Sequence, residues 1–500
     1  MGGGDLADFC EAVILQANGE DLRIITLLYE HVLLANHSAY RLSEDAKKRS
    51  TDRSNRLLNR WISSYCSSSS SSSSGSADDL TVSATTNNRQ IARVDPTLEE
   101  DGSSCAKRIF HAVIRQNSDL LSLDGITAAE EWLGRMRHLG RSGIPWCAPD
   151  ADAYNIVLLG YCHLCKSFHH DRSLSKLPAR DVAEARKTEM SNRRFVVQGV
   201  VRVLSEFADN ADEEKEDSGC WPNLMSMNLA LNAIAKAGGG FPDDSICQMT
   251  NKLVFDLIGE EKYRSLMDQD VSSFEHNMIF DITSEEKYRQ LVDPEVAPIE
   301  SDECDSYVAP RISRTGTSKH LNPNLDTYHW LVDIYSNGAN IVYTKKSMAI
   351  LNKMIRIRSE QDSEYLTGDG KLRNAASFAP STGTHNKVLH ALVEKMEENN
   401  EAALVKEKTA KEAMRLLDSM VLHRSSLPSP ITFLFLLRLW QNTQSSEAGE
   451  YAEEILSRME IFCLYQNELR VLSNAYLQAL ECWLTAAKAG RPGAAERAFR

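Results

Sequence analysis

An all-α chain, built as an α-solenoid of antiparallel helix pairs with long polar inserts, is the fold class this sequence predicts. Three observations carry that expectation. A Pro-led amphipathic stretch recurs: "PDADAYNIVLLGYCHLCK" from Pro149, "PNLMSMNLALNAIAKAG" from Pro222, "PNLDTYHWLVDIYSNG" from Pro323 and "PSTGTHNKVLHALVEKM" from Pro380. A second amphipathic stretch follows, as in "KSMAILNKMIRIR" (346–358), "AKEAMRLLDSMVLH" (410–423) and "AGEYAEEILSRMEIF" (448–462). Polar text fills the irregular distances between units. Pro can open a helix without losing a needed N–H, and Gly can close one. One helix pair cannot bury its own apolar face, so pairs recur and stack.

Taken in order, residues 6–66 space their apolar residues at three and four and predict an N-terminal helical region. "SSSSSSSSGSADD" opens a Ser-rich segment, 67–104, whose composition predicts disorder. Helices are expected to resume at "AKRIFHAVIRQ" and "ITAAEEWLGRMRHLGRSG", and residues 105–500 form the array. About six pairs are expected, with weaker first helices from Pro428, "PSPITFLFLLRLWQN", and at 473–490. Positions 155, 228, 329, 386 and 434 are 73, 101, 57 and 48 residues apart. The excess falls in inserts near 205–220, 259–322 and 359–378. One insert repeats itself, "EEKYRSLMD" (260–268) against "EEKYRQLVD" (285–293), as expected of a solvent-exposed helix. The array is expected to be cut short at Arg500.

Bulk composition excludes several classes. Five hundred residues with 42% apolar side chains suit several units rather than one core. No apolar run approaches the ~18 residues of a membrane span, so no membrane partner is expected. Eleven cysteines without framework spacing read as buried thiols in a reducing compartment. A formal charge of −14 counts against simple attraction to phosphates. The acidic N-terminus fits neither a signal peptide nor an Arg-rich transit peptide, and Leu6 breaks the myristoylation pattern.

Other clusters have plain readings. Cys162 and Cys165, with His163, His169 and His170, could make half a zinc site, but a helix puts both thiols on one packing face. The Gly-rich "AGGGFPDD" (237–244) lacks the Lys-Ser/Thr of a phosphate loop. Acidic runs at 209–219 and 299–305 suit solvated loops. Arg193, Arg194 and Arg202 share one helix as a candidate phosphate contact or a solvated face. No catalytic constellation, metal, cofactor or small-molecule substrate is expected.

"PDADAYN" (149–155), "PNLMSMN" (222–228) and "PNLDTYH" (323–329), with Ala and Met in the following helix, resemble the pentatricopeptide repeat over roughly residues 124–500. The tetratricopeptide text is absent. The resemblance implies a right-handed superhelix that binds single-stranded RNA at about one base per repeat. It implies that the polar residue after the aromatic slot and the residue after the next closing Pro touch one base edge. The pairs would be Asn155 with Asn223, Asn228 with Asn324, His329 with Ser381, and Asn386 with Ser429. An Asn amide both donates and accepts, so it suits a base edge; capping a helix N-terminus is the competing role. His329 departs from the usual Asn, Ser or Thr, and Leu434 cannot hydrogen-bond through its side chain. Mitochondrial or plastid RNA processing, stability or translation would follow. A protein-binding scaffold is the alternative, favoured by the irregular repeat lengths.

Overall fold

The structure is a computed structural model that describes residues 44–70, 99–142, 147–168, 179–213, 221–239, 243–267, 321–367, 379–398, 403–422, 426–465 and 473–499. It is all-α: among these residues there is no strand. The described residues fall into two compact units, the first ending at Ala233 and the second beginning at Ile234. No helix among them is long and apolar enough to cross a membrane.

The first unit holds α1 (Glu44–Ser70), α2 (Glu99–Ser118), α3 (Leu123–Arg141), α4 (Ala151–Phe168), α5 (Ala179–Glu213) and the first ten residues of α6 (Leu224–Gly238). Each of α1 to α4 packs on the next, and α2 also packs on α4. The pair α2 and α3 precedes the six expected pairs. Asn55 and Asn117 exchange side-chain hydrogen bonds of 3.1 and 2.8 Å, and Trp132 Nε1 donates to Asn55 Oδ1 at 2.8 Å. That knot lets α1 bring amides against the α2 and α3 core without leaving them unpaired. Tyr154 of α4 stacks on Phe207 of α5, ring centroids 4.1 Å apart. Tyr161 donates to Glu130 Oε1 at 2.5 Å, and Arg202 pairs with Glu130 from α5. Gly199 makes room for this group, because a Cβ there would lie 2.0 Å from the Tyr161 hydroxyl.

The second unit continues with α7 (Asp244–Ile258), α8 (Glu260–Met267), α9 (Leu325–Ser336), α10 (Ile341–Thr367), α11 (Thr382–Glu398), α12 (Ala403–Leu422), α13 (Pro430–Asn442), α14 (Ala448–Tyr465), α15 (Ser473–Lys488) and α16 (Ala494–Phe499). Within it α9 packs on α10, α11 on α12, α13 on α14 and α15 on α16. First helices also pack on first helices: α9 on α11, α11 on α13, α13 on α15. The core is the apolar stripe of each helix, such as Leu436, Leu437, Leu439 and Trp440 of α13, all fully buried.

Several details differ from expectation. The Pro residues 149, 222, 323, 380 and 428 stand one residue before the helix cap, where a fixed φ leads an extended chain into the turn; only Pro430 occupies the first turn itself. Gly338 follows the Asn337 C-cap of α9 because a Cβ there would meet Tyr343 Cβ at 2.6 Å. The first "EEKYR" copy is an amphipathic helix: Glu260, Glu261, Arg264 and Ser265 of α8 are exposed, and Tyr263 and Leu266 are buried. Its second copy lies outside the described residues, as do His169, His170, residues 1–43 and most of the Ser-rich segment. Helices reach into both ends of that segment, α1 to Ser70 and α2 from Glu99.

Candidate functional site

Five first helices, α4, α6, α9, α11 and α13, begin with the same local chemistry. The caps are Asp150, Asn223, Asn324, Ser381 and Ser429, and each side-chain oxygen accepts the N–H three residues on. The distances are 3.0 Å to Ala153, 2.9 Å to Ser226, 3.0 Å to Thr327, 3.1 Å to Thr384 and 3.4 Å to Thr432. Asn324 and Ser429 complete reciprocal capping boxes with Thr327 and Thr432. So the second member of every predicted pair is a helix cap, and its oxygen is already in use.

The fifth residue past the cap is Asn155, Asn228, His329, Asn386 or Leu434. In the second unit Asn386 reaches the cap of the next first helix, and His329 reaches the residue that the cap holds. Asn386 Nδ2 donates to Ser429 Oγ at 3.1 Å, and Thr432 Oγ1 donates to Asn386 Oδ1 at 2.7 Å. His329 Nδ1 lies 2.8 Å from Thr384 Oγ1, which is 2.9 Å from Ser381 Oγ. Burial pushes the His329 imidazole below its ordinary pKa, against the charges of Asp333 and Asp326. Both predicted pairs are therefore brought together, with a Thr hydroxyl closing each. Leu434 leaves its rung apolar.

In the first unit Asn223 is exposed, but Asn155, which the resemblance would set on a base edge, is not. It is 6% exposed, and its Oδ1 is buried without a hydrogen-bond partner. The third residue past the cap ahead of it is Ser226, whose hydroxyl turns to Asn223 Oδ1 at 3.1 Å. Asn228, in the first unit, and Asn324, in the second, are each half-buried.

One rung lies ahead of those read from the sequence. His111 of α2 places Nε2 2.9 Å from Oδ1 of Asp150, the cap of α4. Burial raises the Asp150 pKa, but the hydrogen bond and charge of His111, with the Ala153 N–H and Lys107, leave it below the usual carboxylate value. The signal was present: Phe110-His111 has the aromatic-polar order of Tyr154-Asn155 and Tyr328-His329. It lacks the Pro and cap that mark the other units, because α2 runs unbroken from Glu99.

Of the three arginines read as a phosphate contact or solvated face, Arg194 is exposed and the other two hold acids. Arg193 is buried and holds Glu189 through Nε and Nη2 at 3.1 and 2.7 Å; Arg202 holds Glu130. Cys162 and Cys165 are buried along α4 and donate to the Leu229 and Ala233 carbonyls at 3.1 and 3.5 Å. Cys482 of α15 does the same to Leu437 at 3.4 Å, and burial pushes its thiol up to about 12. These thiols pack helix on helix and are poor nucleophiles.

What the arrangement offers chemically is hydrogen bonding and apolar contact on the first helices, repeated once per pair. No family model matches the chain, no curated protein matches it, and no solved structure matches it.

Proposed function

We propose that the helix pairs stack as a right-handed α-solenoid of the pentatricopeptide class that binds single-stranded RNA, without catalysis, in mitochondrial or plastid RNA metabolism. The observation that carries this is the periodicity of the rungs. His111 with Asp150, His329 with Ser381 through Thr384, and Asn386 with Ser429 each place one polar pair at one helix-pair junction. One polar pair per repeat is the geometry that one base per repeat requires. The charge of −14 does not forbid it, because base contacts need no net charge.

The scaffold reading draws on a different observation. Asn386 and His329 make hydrogen bonds inside the protein, and Asn155 is buried, so less of the column is open to a base. The two readings separate in a titration of labelled 20-nucleotide RNAs by fluorescence anisotropy at stated salt. The RNA reading expects binding of single strands over duplexes, weakened by Asn228→Ala combined with His329→Ala. Equal and negligible binding of both RNA forms removes it and leaves the scaffold.

A further inference from the structure

Beside the rungs lies a second row of half-buried and exposed side chains. Counted from the cap, the sixth and ninth residues are Trp330 and Asp333 on α9, Lys387 and His390 on α11, and Phe435 and Arg438 on α13. These three helices pack in succession within the second unit. One contact crosses each junction. Lys387 pairs with Asp333 across the first junction. The His390 ring meets Phe435 edge-on across the second, centroids 5.3 Å apart at 73°. Lys387 with His390, and Phe435 with Arg438, are neighbours three apart on their helices.

We propose that this row is a base-stacking strip, with Trp330, His390 and Phe435 as platforms and Lys387 and Arg438 as phosphate contacts. It rests on the RNA reading above and says where on the second unit the strand lies. Three points favour it. The core aromatics of the same helices, Tyr335, Phe433 and Trp440, are shut away at 1% exposure or less, whereas Trp330 and Phe435 are only half-buried and the His390 side chain is 52% exposed. The core therefore does not account for them. Second, the row combines aromatic with cationic side chains, which is how single strands are held irrespective of sequence. Third, the cations can be recruited. The Lys387 partner is Asp333, but the Lys387 side chain is 54% exposed, and an ion pair in that setting is weak enough for a phosphate to displace. Arg438 is exposed and has no carboxylate partner among the described residues; in the satisfied amide orientation, Gln478 accepts from its Nε at 3.2 Å. Glu394 lies 3.7 Å from His390, so the strip is close to neutral and stacking, rather than charge, must hold the strand.

The test uses the full chain and a 20-nucleotide single strand carrying 4-thiouridine. Photo-crosslinks are mapped to peptides, and affinity is measured for Phe435→Leu, Trp330→Leu and the exposed pair His390→Ala with Arg438→Ala. Crosslinks within 326–338, 383–396 or 430–441 are expected, and each variant should bind about five-fold more weakly or worse. The exposed pair guards against a folding artefact, since neither residue is in the core. RNA bound by that pair with wild-type affinity and crosslinked elsewhere overturns the strip and leaves RNA binding standing. A wild-type chain that binds no RNA overturns both.

Discussion

The helices α13 and α15 share one burial pattern and differ in what covers them. Thr432, Leu436, Leu439 and Trp440 of α13 are matched, 43 residues on, by Ala475, Ala479, Cys482 and Trp483 of α15, and all eight are buried. On the adjoining face the match ends. Leu437 is fully buried, with α15 lying over it and Cys482 donating to its carbonyl. Its counterpart Leu480 is 41% exposed, and Leu477 and Leu484 beside it are 59% and 50% exposed. The lesson is that a first helix here is stable on two accounts. One face is secured by its own second helix and the other by the next first helix, so stability belongs to neighbours as much as to the sequence of one helix.

The largest effect should come from the shared aromatic. Trp440 is fully buried and stacks on Tyr451 of α14, centroids 3.8 Å apart at 10°. Trp440→Ala should cost about 3–5 kcal/mol of unfolding free energy in urea. Trp483 packs similarly and donates to Glu453 Oε1 at 3.1 Å, but it sits on the helix with the bare face. Trp483→Ala should produce a separate, early transition as α15 and α16 release, with the main midpoint little moved. A single shared transition for both variants would mean that the two helices are not independently secured.

Next in size is the pair that differs. Leu437→Ala opens a covered contact and should cost about 2–5 kcal/mol. Leu480→Ala removes a side chain that water already reaches and should stay within about 0.5 kcal/mol. Equal losses would show that the α15 face is covered in solution by something the described residues do not include.

A smaller effect should follow from the rung that joins α11 to α13. Thr432→Val deletes the hydroxyl that donates to Asn386 Oδ1 and completes the Ser429 capping box, for a loss of about 1–2 kcal/mol. Asn386→Ala should cost less in that background than in the wild type, because the two side chains share one bond. Strict additivity in the double-mutant cycle would deny the rung any energetic standing. Ala475, in the place of Thr432, has no hydroxyl and offers no comparable loss.

The helices and their caps were legible because both follow from spacing. Apolar residues at three and four mark the buried stripe, and Pro-Asn, Pro-Asp or Pro-Ser marks the turn into it. The resemblance paired Asn386 with Ser429 on one base edge; in the structure the two are hydrogen-bonded to each other. Two things were not legible. Thr384 and Thr432 close the rungs, yet a Thr in the first turn reads as an ordinary residue until its neighbour helix is placed. Asn155 is buried although it occupies the same register as Asn386, because burial is decided by the packing of α4 against its neighbours and not by its own helix. The resemblance that names the column speaks of sequence order; how far each amide is shut in depends on contacts dozens of residues away.

The smallest expected effect separates the imidazole rung from the amide rung by pH. His329 is held by Thr384 in a half-buried site with Asp326, Asp333 and Lys387 around it. Its pKa in the folded chain lies below the ordinary 6.5, chiefly because burial disfavours the cation. As pH falls through 6.5 the unfolded chain takes up this proton first, so it gains on the folded state until the folded imidazole also titrates. The contribution of His329 to stability is therefore complete above about pH 6.5 and is lost below it. The Asn386 rung carries no titrating group and should not respond over that range. Urea midpoints at pH 7.5 and 5.5 should fall more for the wild type than for His329→Asn, which keeps an acceptor for the Thr384 hydroxyl and removes the proton site. An identical fall in both would place the pH response elsewhere in the chain and leave the two rungs equivalent.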